Sequence, residues 1–277
     1  MKRIAFAAVT LVGFAVILWS GPASAANPPS PEITIAPPPL AYPDYSDPDK
    51  FQGRAGATYI NVSGTDVSIT GLGGNITARK VLPKTSGGLN EGISFSGALV
   101  GLTGTVASSS VSGLATTVAG NYEIETWKGE AANLILFLGP QYNYTYVHVA
   151  ASGADVDVYA PLFGYQAGVQ YTAQNGNFKF SPWFQYTHLS GTVSATVTSS
   201  ASGRSQTEDS TVNVNSSALG LDFLHVPSAM TLSSLYQQQS GGDTSLRTLI
   251  LQFTWGFGEG VPKEKAATAP QAEPKSQ

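Results

Sequence analysis

Thr248-Leu249-Ile250-Leu251-Gln252-Phe253-Thr254-Trp255-Gly256-Phe257 is the stretch that decides the fold. Residues i and i+2 of a strand share a face. Leu249, Leu251, Phe253, Trp255 and Phe257 therefore line one side, and Thr248, Gln252, Thr254 and Gly256 the other; only Ile250 breaks the alternation. Upstream, Phe178, Phe180, Pro182, Phe184, Tyr186 and His188 stand opposite Lys179, Ser181, Gln185 and Thr187, with Trp183 as the exception. Tyr159, Phe163, Tyr165, Val169 and Tyr171 oppose Gly164, Gln166, Gly168 and Gln170, and Tyr142, Tyr144 and Tyr146 oppose Gln141, Asn143 and Thr145.

These runs span about 10 to 18 residues, whereas strands of globular proteins average about five or six. About 9 to 11 tilted residues cross a bilayer. A face rich in aromatics, backed by uncharged polar residues and glycine, fits lipid outside and a wet or hydrogen-bonded interior. A soluble sandwich also alternates, but its outward face is usually charged.

The composition agrees. Only 12% of the 277 residues are charged, about half the usual share of a soluble domain. With no Cys there is no disulfide framework, thiolate nucleophile or cysteine metal site. The net charge of −4 argues against nucleic acid as a partner.

Lys2 and Arg3 precede a nearly uncharged apolar run from Ile4 to Trp19, and Ala23-Ser24-Ala25 has the small-x-small pattern of a cleavage site. The run is short of the ~20 residues a spanning helix needs. Residues 1–25 are read as an export signal cleaved near Ala25, which leaves 12 basic against 18 acidic residues. Residues 26–52 form a Pro-rich periplasmic linker, with eight prolines between Ala26 and Lys50. Within it, Glu32-Ile33-Thr34-Ile35 is faintly similar to the energy-coupling box of large outer-membrane transporters. Those need a plug and about 22 strands, so the match is read as chance. Residues 259–277 are expected to be a disordered polar tail.

Residues 53–258 are read as an all-β body. Eight strands are predicted, at 55–63, 91–106, 132–149, 155–173, 177–194, 211–225, 229–238 and 246–257. Asn175-Gly176 supplies a tight hairpin turn, and Ala195 to Ser210 reads as a long loop. Because lipid forbids open edges, the strands should close into an antiparallel transmembrane β-barrel. Tyr122-Glu123-Ile124-Glu125-Thr126-Trp127 lies in a connection too long for a periplasmic turn, so ten strands are the alternative. Pro140, Pro161 and Pro182 fall inside predicted strands, where each removes a ladder donor; bulges or strand ends are expected there.

The chain resembles small bacterial outer-membrane β-barrels of the OmpA/OmpX-like and opacity-type class over roughly residues 53 to 258. The most specific element is the terminal Leu249-x-Leu251-x-Phe253-x-Trp255-x-Phe257, similar to the aromatic-ended insertion signal read by the barrel assembly machinery. The resemblance implies placement in the bacterial outer membrane, with lipid and lipopolysaccharide around it and the assembly machinery as partner. Family members often stop at the aromatic, whereas this chain runs on for twenty residues.

Lys179 and Asp222 fall on the polar face near the same end of neighbouring strands and are expected to form an interior ion pair. His188-Leu189-Ser190 resembles the His-x-Ser pair of outer-membrane lipid A deacylases. In that resemblance Ser190 is the nucleophile, His188 its base, and Glu208 or Asp209 the orienting acid. Gly191 stands where that family carries Asn, and an interfacial His beside a loop Ser is the favoured reading. His148 and His225 lack neighbours at metal-ligand spacing, so no metal or cofactor is expected. The chain is therefore read as a non-enzymatic barrel, narrow and porin-like or structural. The alternative is an adhesin or recognition barrel working through loops around 64–90 and 195–210.

Overall fold

The computed structural model describes residue 35 and residues 51–64, 66–83, 88–151, 154–241 and 244–257. Ten antiparallel strands follow one another: β1 (Phe51–Gly64), β2 (Val67–Val81), β3 (Asn90–Val106), β4 (Ser109–Lys128), β5 (Ala132–Ala151), β6 (Ala154–Asn175), β7 (Phe178–Ser199), β8 (Ser205–His225), β9 (Met230–Gly241) and β10 (Thr244–Phe257). Each pairs with its sequence neighbour, and β10 returns to β1 through Gly53↔Phe257 to Ser63↔Arg247, closing the barrel. Closure leaves neither β1 nor β10 with an open edge, as lipid requires. The signal peptide of 1–25 and the tail of 259–277 lie outside the described residues, as does all of the predicted linker except Ile35, Phe51 and Gln52.

Ten strands replace the eight of the primary reading. The two additional ones are β2, placed where a loop at 64–90 was expected, and β4, of which only the Tyr122–Trp127 end was suspected. Both are rich in Gly, Ser and Thr, which weaken the apolar beat without preventing pairing. Ala195–Ser210 is likewise mostly strand: β7 runs to Ser199 and β8 begins at Ser205.

The three prolines make neither bulges nor strand ends. Pro140 leaves a two-pair gap between Ala119↔Gln141 and Tyr122↔Leu138. Pro161 leaves one between Tyr159↔Ser194 and Leu162↔Gly191, and Pro182 another between Gln170↔Trp183 and Ala173↔Phe180. The register on either side of each gap is the same, because a missing N–H removes a local bond while the long flanking ladders hold alignment. The register shift in the β4–β5 ladder falls elsewhere, between Glu125 and Trp127.

The outer face is apolar. Leu72 is 71% exposed and Phe163 61%, and Leu99, Leu138, Leu232, Leu249, Leu251 and Trp255 are exposed in the same way. Such a continuous surface far exceeds the apolar patches that water tolerates on a monomer, and it suits hydrocarbon. Aromatic rings gather toward both rims. Phe51 packs on Phe257, Trp127 on Tyr171 and Phe180 on Phe223 near the terminal rim, where β1 starts and β10 ends. Tyr146 packs on Tyr159 toward the distal rim. This is the arrangement of interfacial girdles. The two breaks in the sequence alternation, Ile250 and Trp183, point inward and are buried. Gly220 makes room for the indole, since a Cβ there would lie 2.1 Å from Trp183 Cε2.

The wall is uneven. Strand length climbs from 14 residues in β1 to 22 in β6 and β7, stays at 21 in β8 and drops to 12 in β9. All the surplus projects at the distal rim. β8 pairs with β9 only as far as Val214↔Gly241, while its pairing with β7 continues to Thr198↔Ser205. Among the described strands, residues 205–213 therefore have β7 as their one partner.

Candidate functional site: lumen and distal rim

The lumen is filled by side chains. Near the terminal rim lie the charged ones. Arg79 Nε on β2 meets Glu123 Oε2 on β4 at 2.5 Å, and its Nη1 donates to Gln52 Oε1 at 3.3 Å. Arg54 on β1 stands 3.8 Å from Asp222 on β8, bridging the width of β9 and β10. Glu125 accepts from Asn90 and from Asn133, the latter at 3.0 Å. These groups are almost fully buried, and pairing offsets the cost of taking charge out of water.

An amide chain crosses above them. Asn121 donates to Ser94 at 3.4 Å, Gln166 to Asn121 at 2.6 Å and Gln185 to Gln166 at 2.7 Å. Thr187 donates to Gln141 at 3.4 Å, and Gln252 to Thr58 at 3.4 Å. The polar parity read from the sequence thus faces inward and hydrogen-bonds across the barrel. Nearer the distal rim the filling becomes apolar, with Ile60, Val62, Ile69, Val100, Leu102 and Val147 in one buried cluster.

Lys179 and Asp222 both belong to the inner parity. The ion pair at Asp222 is with Arg54, a partner 168 residues away in the chain that strand spacing alone did not indicate. In register, Lys179 lies opposite Leu224, and Asp222 opposite Ser181. The insertion-signal residues Leu249, Leu251 and Trp255 are exposed on the outer face, with Phe253 and Phe257 partly covered beside them.

His188 and Ser190 also face outward at the distal girdle. Glu208 does not join them. It pairs in register with Ala195, seven residues beyond His188 and so about 23 Å along the strand, on the opposite parity. Its carboxylate accepts instead from Gln206 at 3.3 Å. Asp209, opposite Ser194, is also too far along β8. The His188 ring is held by a group the sequence reading missed: Asn215 Oδ1 lies 2.8 Å from Nδ1 and also accepts from Tyr186 at 2.8 Å.

The same device occurs a second time. Asp157 Oδ1 lies 3.0 Å from His148 Nδ1 and accepts from Tyr146 at 2.8 Å. Each copy is Tyr-x-His on one strand with an oxygen acceptor directly opposite the His, in the pairs His148↔Asp157 and His188↔Asn215. The repeat was visible in the sequence as Tyr146-Val147-His148 and Tyr186-Thr187-His188, but the acceptors needed the strand register. Two residues after His148 stands Ala150, where the second copy has Ser190. A motif that recurs without a serine is explained by tying a hairpin at the membrane boundary, where amphipathic rings favour one wet end. Among the described residues no group of three or more His, Asp or Glu could hold a metal ion.

No family model matches the chain, and no curated protein matches it. Among solved structures it is similar to the outer membrane protease OmpT from Escherichia coli, at 9% identity and a TM-score of 0.46, over 77% of this chain and 98% of that one. It is also similar to a major outer membrane protein from Thermus thermophilus, at 10% identity and a TM-score of 0.44, over 75% and 99%. For Ail, the attachment invasion locus protein of Yersinia pestis, the figures are 11%, 0.35, 76% and 99%. Likenesses of this size decide neither family nor activity.

Proposed function

We propose that the chain is a non-enzymatic barrel of the bacterial outer membrane that works through its raised distal sheet rather than through an open pore. The apolar belt and its two girdles support the membrane setting, and the terminal rim then faces the periplasm. The cross-lumen ion pairs and amide chain oppose free conduction, as expected for a narrow barrel whose interior is filled by its own side chains.

The observation that carries the reading is the free flank of β8. Residues 205–211 and 213 are exposed and Val212 half-buried; the run is uncovered by β9 and carries Glu208 and Asp209 as its only charges among Ser and Thr residues. An exposed strand edge is a template for an added strand. The partner is then an extended peptide segment outside the cell, and the recognition surface is strand rather than the loops at 64–90 and 195–210. The test joins Ser190 directly to Asn213, which are register partners, through Asn-Gly. Cells displaying the full protein should retain peptides from an immobilised library of extended sequences, and the trimmed variant, folded by heat-modifiability, should not. Equal retention, or a steady porin-sized conductance of the purified protein in planar bilayers, would count against the proposal.

One observation favours a second reading. Asn215 holds the His188 ring at Nδ1, and Ser190 stands two residues on, on the same outer face. Such an arrangement suits a serine ester hydrolase acting on outer-leaflet lipid. That reading requires fatty-acid release from lipopolysaccharide by the purified protein, abolished in Ser190→Ala.

A further inference from the structure

Ile35 is separated from β1 by fifteen residues and belongs to none of the ten strands, yet it is 0% exposed and sits in the apolar cluster of the distal lumen. Its N–H lies 3.2 Å from the Asn143 side-chain amide, oriented so that the Asn143 nitrogen faces the Thr117 hydroxyl at 2.9 Å and the Tyr142 carbonyl at 3.2 Å. Asn143 and Thr117 belong to the upper edge of the polar lumen. Ile35 thus lies where the two linings meet: its backbone is met by an amide, and its side chain belongs to the buried cluster that also holds Ile60, Val100 and Val147.

We infer that the chain's own segment ahead of β1 docks inside the barrel through Ile35, with Asn143 as its polar seat. The reach is sufficient. Sixteen steps from Ile35 to Phe51 cover up to about 50 Å of extended chain, and the ten steps of β5 from Asn133 to Asn143 rise about 33 Å. The fit is chemical as well. A β-branched apolar residue fills a dry cluster, and a buried backbone N–H finds the acceptor it needs. Eight prolines among the 25 residues from Ala26 to Lys50 remove about a third of that segment's backbone N–H donors.

The chain contains no cysteine, so single cysteines report unambiguously. Asn143→Cys is placed in the mature full-length protein and in a form lacking residues 26–50. Both are folded in detergent micelles, checked by heat-modifiability, and treated with a hydrophilic maleimide. Labelling of Cys at 143 is expected to be at least about tenfold slower in the full-length protein, a difference of the size that local protection produces. Ser190→Cys on the exposed rim should label at the same rate in both. In the full-length protein, Ile35→Cys should resist labelling until heat unfolds the barrel. Equal labelling at 143 with and without the segment, or labelling of Ile35→Cys as fast as Ser190→Cys in the folded protein, would overturn the inference.

Discussion

The lumen has two halves built by different chemistry inside one wall. Toward the terminal rim, Arg54, Arg79, Glu123, Glu125 and Asp222 lie buried among hydroxyls and amides. Toward the distal rim, Ile60, Val62, Ile69, Val100 and Leu102 pack as a dry core. The mixture is not absolute: Trp183 sits among the polar groups, and Gln237 and Gln239 lie high on β9. The contrast shows that a barrel can be held from within by directional struts at one end and by non-directional packing at the other. Struts are specific but costly to break; packing degrades by degrees.

The largest effect should come from breaking a strut. Glu123→Ala leaves Arg79 buried without its carboxylate, and urea unfolding in micelles should show a loss of about 3–5 kcal/mol. An intermediate effect is expected in the dry half. Ile69→Ala removes fully buried methyl groups and should lose about 2–4 kcal/mol, with no change in the salt dependence of stability. If Ile69→Ala cost more than Glu123→Ala, the division of labour would be reversed. The smallest effect belongs to a polar group that serves neither role. Thr254 carries a buried hydroxyl with no hydrogen-bond partner, so Thr254→Val should shift stability by less than about 1 kcal/mol, in the stabilising direction. A clear loss there would mean that the hydroxyl belongs to the strut network.

The same contrast explains what could be read from the chain beforehand. Alternation is plain where the inside is polar, as in Gln252 and Thr254 between Phe253 and Trp255, because the two faces then differ. It blurs where the inside is apolar. Ile250 looked like an error in the pattern and is a lumen residue of the dry half. β2 hid behind Gly71, Gly73 and Gly74, whose missing side chains carry no periodic signal. Arg54 as the partner of Asp222, and Asn215 as the partner of His188, are set by closure and by register, which no local pattern encodes. Ile35 gave even less warning, because Glu32-Ile33-Thr34-Ile35 is too short a run among prolines to set a period.

Hairpin turns add a local version of the same lesson. Asn175-Gly176 was legible because Gly176 takes φ of 57° without a Cβ to hinder it. Ala107 and Ser108 take φ of 46° and 69° in the β3–β4 turn with no such preference in their favour; the long ladders on both sides impose the conformation.

The unequal wall has a directional consequence. Behind the tall strands β5 to β8 the barrel mouth is screened, while over β9, β10 and β1 the sill is low. Anything bulky that approaches the distal rim meets a wall on one side and an opening on the other.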